Sequence, residues 1–246
     1  MNMKRFLIAI LLAPFIAIAG ASETQQLDRA PVNLGDRASL QRGAAHFVNY
    51  CLNCHSANAM RYARLQDLGL SEAEIRNNLM FVTDKFGDTM TTTFDPKDAK
   101  KWFAVVPPDL SVTARARGSD WLYTYLRSFY RDPKTSTGWN NLVFPQVAMP
   151  HVLHGLQGEQ QLQVTERIDS HSGEKVESHK IVPGTPGTLT PAEYDKFVGD
   201  LVNYLTFMGE PARGQRTQIG IIVLFFLAIF FVLSLLLKLE FWKDVK

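Results

Sequence analysis

Three kinds of apolar pattern divide this chain. Unbroken apolar runs stand near both ends: residues 6–18, interrupted only by Pro14, and residues 219–237, which carry no charge and one clearly polar side chain, Ser234. Between them the pattern is helical in several places. Leu40, Ala44, Phe47 and Val48 fall at i, i+4, i+7 and i+8, which predicts a helix over residues 36–50. Ser71 with Glu74 three residues on is a capping box that opens a second, short helix. Ser119 or Asp120 starts a third, running through Trp121, Leu122, Tyr125, Leu126 and Phe129 and closed by Pro133. The clearest start is Thr190-Pro191-Ala192-Glu193, which combines a cap, a first-turn proline and a capping-box glutamate. Its apolar face is Tyr194, Phe197, Val198, Leu201, Val202, Leu205 and Met208, and Gly209 and Pro211 end it. Alternation appears once: Leu162 and Val164 with polar neighbours predict a β-hairpin over residues 161–182, turning at 170–173. Residues 84–101 show little periodicity and read as loop. Pro107-Pro108 forces extended backbone, and residues 134–157, rich in Gly, Pro and Asn, read as irregular.

The two apolar ends differ in their flanks. Lys4 and Arg5 precede the first run, and Ala19-Gly20-Ala21 follows it as a small-residue cleavage site, so residues 1–21 are expected to be a secretory leader. The second run has no polar stripe and, at about 1.5 Å per residue, nearly spans a bilayer core of about 30 Å. The expected organisation is a leader at 1–21, an exported domain at 22–213, a membrane helix at 217–238 and a cytoplasmic tail at 239–246. Lys238, Lys243 and Lys246 follow the span and Arg213 and Arg216 precede it, so orientation rests mainly on the leader. Removing the leader leaves 24 basic against 24 acidic residues, which gives no support to a nucleic-acid partner.

The chain has two cysteines, and both stand in Cys51-Leu52-Asn53-Cys54-His55. Two thiols at this spacing match the two vinyl groups of a haem, and the adjacent imidazole can reach its iron. A thioredoxin-like pair would want a βαβ setting, whereas this motif ends a helix. A zinc half-site would need a second ligand pair, and no other cysteine exists. One covalent haem c is therefore expected on Cys51 and Cys54, with His55 as one axial ligand. For the sixth position Met149, in Phe144-Pro145-Gln146-Val147-Ala148-Met149-Pro150, is favoured, because two prolines stiffen the segment and Ala148 permits close approach. Met60 stands too near His55 in sequence, Met208 belongs to a predicted apolar helix face, and Met80 and Met90 have no supporting context. His151 and His154 leave a bis-histidine site open.

Together with Met60-Arg61-Tyr62, Pro107-Pro108-Asp109-Leu110-Ser111, Arg115-Ala116-Arg117, Met149-Pro150 and a C-terminal span, this motif resembles the cytochrome c1 family of proteobacterial type. The resemblance covers nearly the whole mature chain, and the P-P-D-L-S block is its most specific part. It implies a mostly α, class I cytochrome c-type haem domain with insertions and a small β-hairpin, plus the anchor. It also implies that Arg117 contacts a haem propionate and that the segment containing Pro108 packs along the haem edge. Trp121 stands where the family has a tyrosine, and Ala148 where it often has glycine. The implied role is electron transfer within a quinol:cytochrome c oxidoreductase of the bacterial inner membrane. Partners would be cytochrome b, a Rieske iron–sulfur protein as donor and a soluble or tethered c-type cytochrome as acceptor. The chain itself would not be an enzyme. Residues 155–200 hold eight acidic and four basic residues and could attract a basic acceptor.

Overall fold

The computed structural model describes residues 26–168 and 175–244. The expected leader and the hairpin turn at 170–173 lie outside the described residues. The helices are α1 (Arg37–Tyr50), α2 (Glu72–Leu79), α3 (Pro96–Phe103), α4 (Thr113–Arg117), α5 (Ser119–Arg127), α6 (His154–Gln157), α7 (Pro191–Gly209) and α8 (Arg213–Trp242). Three antiparallel strand pairs join them: β1 (Ala57–Arg61) with β2 (Thr89–Met90), β3 (Phe129–Arg131) with β4 (Trp139–Asn141), and β5 (Gly158–Ile168) with β6 (Lys175–Pro186). A 3-10 helix, Tyr62–Leu68, follows β1.

Local chemistry sets the helix starts as expected. Asp36 caps α1 by accepting from the Ser39 amide at 3.0 Å. Ser71 with Glu74, and Thr190 with Glu193, form complete capping boxes on α2 and α7. α7 buries twelve of its nineteen residues, because it packs along α1. At their crossing His46 stacks on Phe197 at 3.8 Å between ring centres, and Phe47 meets Tyr204 at 5.7 Å. Arg42 grips Asp200 with two hydrogen bonds of 2.6 and 2.9 Å. The segment before α1 straps over this core: Ala30 N–H donates to Asp120 Oδ1 and Asn33 N–H to Asn203 Oδ1.

Three expectations need correction. Residues 96–103, expected as loop, form α3, with Asp95 accepting from Lys97 N–H and Pro96 in the first turn. Ala99, Trp102 and Phe103 do fall at i, i+3 and i+4, but eight residues give that pattern too few repeats to stand out from the surrounding loop. The third helix ends at Arg127, not Phe129, because Phe129 turns into β3 and pairs with Asn141. The segment 134–157 contains β4 and α6 rather than being wholly irregular. The hairpin is present and longer than expected, with Leu162 opposite Ile181 and Val164 opposite His179.

α8 has no buried residue over its thirty positions, whereas the helices of the domain each bury part of one face or lie within loops. At about 1.5 Å per residue it is about 45 Å long, enough to cross a bilayer with a turn or two to spare at each end. Among the described residues it is the one candidate membrane span by length and composition.

Candidate haem site

The C-x-x-C-H motif is held as one turn at the end of α1. Cys51 is the C-cap, its amide donating to Phe47 O at 2.9 Å, and the amides of Cys54 and His55 both donate to Cys51 O. The two thiols are not joined as a disulfide. Burial, reinforced by the neighbouring Cys54, pushes the Cys51 thiol up to about 12. A protonated, buried thiol is a poor redox nucleophile, which argues against dithiol exchange chemistry here.

His55 is fixed from across the chain. Its Nδ1 lies 2.7 Å from the carbonyl oxygen of Pro108. A carbonyl can only accept, so Nδ1 carries the proton and Nε2 is left with its lone pair free for a metal. Burial lowers the imidazole pKa, against the opposing pull of Pro108 and Asp109, and this favours the neutral ligand form. The Pro107–Ser111 stretch is itself latched onto the residues after the motif. Leu110 N–H donates to Ser56 O at 2.8 Å, Asn58 N–H to Asp109 Oδ2 at 2.7 Å and Ala59 N–H to Ser111 Oγ at 2.9 Å. The other Asp109 oxygen accepts from Ser111 N–H at 2.8 Å. The double proline therefore does more than stiffen a loop: it presents the Pro108 carbonyl to the imidazole.

Met149 lies half-buried on the loop after β4, and its sulfur accepts a hydrogen bond from Tyr125 Oη at 3.4 Å. Two buried asparagines hold that loop. Asn141 Nδ2 donates to Tyr125 O at 2.8 Å, while its Oδ1 accepts from the amides of Val143 and Phe144. Asn140 Oδ1 accepts from Gln146 N–H at 2.8 Å, and Gln146 adopts a left-handed φ of 60°. Sequence reasoning missed both asparagines and Tyr125. Their only sequence signal is their place between a helix and a proline-bounded segment.

The other methionines among the described residues are committed elsewhere. Met60, Met80, Met90 and Met208 are all buried in the core, and the Met90 sulfur faces Tyr204 Oη at 3.5 Å. His151 is buried with its ring stacked on Phe129 at 4.8 Å, and burial pushes its pKa down to about 4. Its Nε2 has no hydrogen-bond partner, so it stays a neutral core group at neutral pH. His154 turns its Nδ1 to His151 O at 3.0 Å. Arg117 closes α4, exposed, with its guanidinium over the rings of Trp121 at 5.2 Å and Phe144 at 5.8 Å. Trp121 stacks on Tyr125 at 4.8 Å. The structure thus gathers expected site residues into two groups, His55 with Pro108 and Arg117 with Trp121 and Met149, the second joined through Tyr125, which was not expected there. The chain from Pro108 through α4 to Arg117 connects them.

The donor set fits a haem. It offers two free thiols one turn apart, an imidazole with Nε2 uncommitted, and a thioether outside the packed core. Close along the chain, Val105, Val106, Val112 and Phe144 expose apolar side chains that a macrocycle would cover. A helical domain with such a turn, tied to one apolar C-terminal helix, is a membrane-anchored c-type cytochrome.

Comparison with known proteins narrows the class. The Cytochrome C1 family profile matches residues 29–169 and 187–245, and the gap between the two stretches includes all of β6. The chain is 47% identical to cytochrome c1 of Allochromatium vinosum over 99% of its own length and all of that protein's. It is 52% identical over the full length of both chains to a protein of Nitrosomonas europaea named ammonia monooxygenase gamma subunit. It is 22% identical to the mitochondrial cytochrome c1 heme protein of Saccharomyces cerevisiae over 88% of this chain and 70% of that one. The chain belongs to the cytochrome c1 family. It is a haem-bearing electron-transfer subunit of a respiratory chain, with haem c covalently attached and a membrane anchor.

Proposed function

We propose that Cys51 and Cys54 carry the haem through thioethers, that His55 and Met149 are its axial ligands, and that Arg117 pairs with a propionate. The observation that carries this reading is the 2.7 Å bond from His55 Nδ1 to Pro108 O, which sets the tautomer and leaves Nε2 for iron. The bound haem supplies reversible one-electron chemistry at its iron. The chain's own residues then do three things. Pro108 and its latch orient the imidazole. The buried asparagines position the thioether, a soft ligand that favours the reduced state. The apolar side chains around the motif keep water away. No acid or base is needed, since no substrate bond is made or broken here.

Within the cell the chain serves a quinol:cytochrome c oxidoreductase beside cytochrome b. It takes an electron from the Rieske iron–sulfur protein and hands it to a soluble or tethered c-type cytochrome. The leader at 1–21 is removed, residues 22–213 lie in the periplasm, the span near 217–238 crosses the bacterial inner membrane once, and the tail from 239 is cytoplasmic. The A. vinosum relative's name supports the carrier reading. The monooxygenase name of the N. europaea relative points elsewhere, but the C-x-x-C-H turn with its carbonyl-anchored imidazole suits a carrier.

Two measurements test this. Extraction of membranes in mild detergent should bring the chain out with a multi-span cytochrome b and with quinol-reducible haem; a chain recovered apart from any cytochrome b would end the complex assignment. In Met149→Leu the haem should remain attached, the near-infrared methionine-to-iron band should vanish and the midpoint potential should fall. An unchanged band would remove Met149 from the ligand set.

A further inference from the structure

Tyr125 is a buried phenol whose one hydrogen-bond partner is a thioether. Its ring is stacked on Trp121 with planes 11° apart and meets Phe129 edge-on at 5.0 Å, and its backbone carbonyl accepts from Asn141 Nδ2. Its hydroxyl donates to Met149 Sδ at 3.4 Å, within the longer range proper to sulfur. Phenols usually find an oxygen or nitrogen acceptor when buried. Tyr194, on α7, does so, donating to Leu126 O at 2.8 Å. Tyr204 Oη also faces a thioether, that of Met90 at 3.5 Å, but Met90 is fully buried in the core, whereas Met149 stands half-buried at its edge.

We propose that Tyr125 is a tuning residue for the axial thioether, its hydroxyl drawing electron density from Met149 Sδ and so raising the midpoint potential of the haem; this rests on Met149 being the sixth ligand. A thioether sulfur has two lone pairs. One is available to iron and the other receives the phenol proton. A hydrogen-bonded sulfur is a weaker donor, and weaker donation costs the oxidised iron more than the reduced iron, so the reduced state gains. The same bond orients the thioether before any metal is bound, and Asn141 couples the two partners by holding Tyr125 O and the amides of Val143 and Phe144 at once.

The test compares Tyr125→Phe, Tyr194→Phe and Met149→Leu in the membrane-anchored chain with haem attached. Potential and the near-infrared methionine-to-iron band are read in each. Tyr125→Phe removes one oxygen and keeps the ring, so the band should persist at a shifted position and the potential should fall, by less than in Met149→Leu. Tyr194→Phe loses an equally buried hydroxyl and should leave both readouts unchanged. A Tyr125→Phe potential equal to the parent's with the band intact overturns the proposal, as does an equal fall in Tyr194→Phe. If Tyr125→Phe does not accumulate, Tyr125→Leu provides the same comparison. The underlying ligand reading fails by a different sign, namely a band that survives Met149→Leu.

Discussion

Gly43 packs directly against the backbone of Asp200: a β-carbon on Gly43 would lie 2.1 Å from the Asp200 carbonyl oxygen and 2.7 Å from Tyr204 Cβ. This contact sets how closely α1 and α7 approach, and α1 ends on the C-x-x-C-H turn. Neither neighbour is a flexible side-chain tip, so the helices would have to separate. Gly43→Ala should therefore cost at least the upper part of the roughly 1–3 kcal/mol typical of overpacked cores. Thermal unfolding of the haem-loaded domain would show a fall in Tm of many degrees, and haem yield should drop with it. A Tm within a degree of the parent would mean the helices do not cross as described.

Asp200 also supplies a pH dependence. Its burial opposes ionisation, but hydrogen bonds from Arg42 and Ser39 outweigh that and hold its pKa below the usual 3.8. A group more acidic when folded contributes stability above its unfolded pKa, and the contribution disappears as pH falls through the folded value. Tm measured from pH 7 down to pH 2 should thus fall in the acid range, and Asp200→Asn should flatten that fall. At pH 7 the Asn variant should lose about 1–3 kcal/mol, the scale of charge-assisted hydrogen bonds, discounted because Arg42 is 44% exposed. An equally steep acid limb in the variant would place the titration elsewhere.

Asp109 makes a third point of attack. Both its oxygens receive backbone amides, from Asn58 and Ser111, and together they hold Pro108 O against His55. Asp109→Ala should loosen that latch, costing about 1–2 kcal/mol by analogy with lost caps. It should also reduce the fraction of exported chain that carries haem. Asp109→Asn keeps an acceptor and should fall between. Equal haem content in all three proteins would show that His55 does not depend on the latch.

Arg117 can be judged against another exposed arginine. Arg64 pairs only with Asp67 on the surface, whereas Arg117 lies over Trp121 and Phe144 beside the site. If Arg117 meets a propionate, Arg117→Leu should lower haem retention under mild denaturant and shift the potential, while Arg64→Leu should do neither. Matching behaviour would reduce Arg117 to a surface residue.

The anchor should be separable. No residue of α8 is buried in the domain, and α7, which closes on α1, ends at Gly209. A chain stopped after Arg213 should be exported as a soluble, red, six-coordinate domain that no longer supports quinol oxidation in membranes. A chain stopped before Thr190 should lose its haem, because α7 and the Arg42–Asp200 contact go with it. Loss of stable haem in the longer of the two would mean that the span contributes to the site.

Much of this was local, and local features are written in short stretches of sequence. The C-x-x-C-H turn needs five consecutive residues. The starts of α1, α2 and α7 need a cap and a partner three residues on, and each is present with the expected hydrogen bonds. The span needs only length and the absence of charge. α3 failed the same reading although Asp95-Pro96 is a sound start and Ala99, Trp102 and Phe103 fall at i, i+3 and i+4, because two turns repeat the pattern too few times to stand out. The leader was equally local, but it falls outside the described residues.

What only the tertiary structure decided is how distant polar groups meet. His55 and Pro108 are 53 residues apart, Tyr125 and Met149 are 24, and Arg42 and Asp200 are 158. No period or motif encodes such pairs, because a carbonyl, a phenol or an amide side chain can bond anything within reach. The pairing follows from burial: once packing takes these groups from water, each must find a partner or carry the cost of being left without one. The sequence by itself therefore determined that a haem is bound and that the chain carries an apolar span fit to anchor it. Packing determined which proton His55 keeps, which methionine stays outside the core, and which hydroxyl leans on its sulfur.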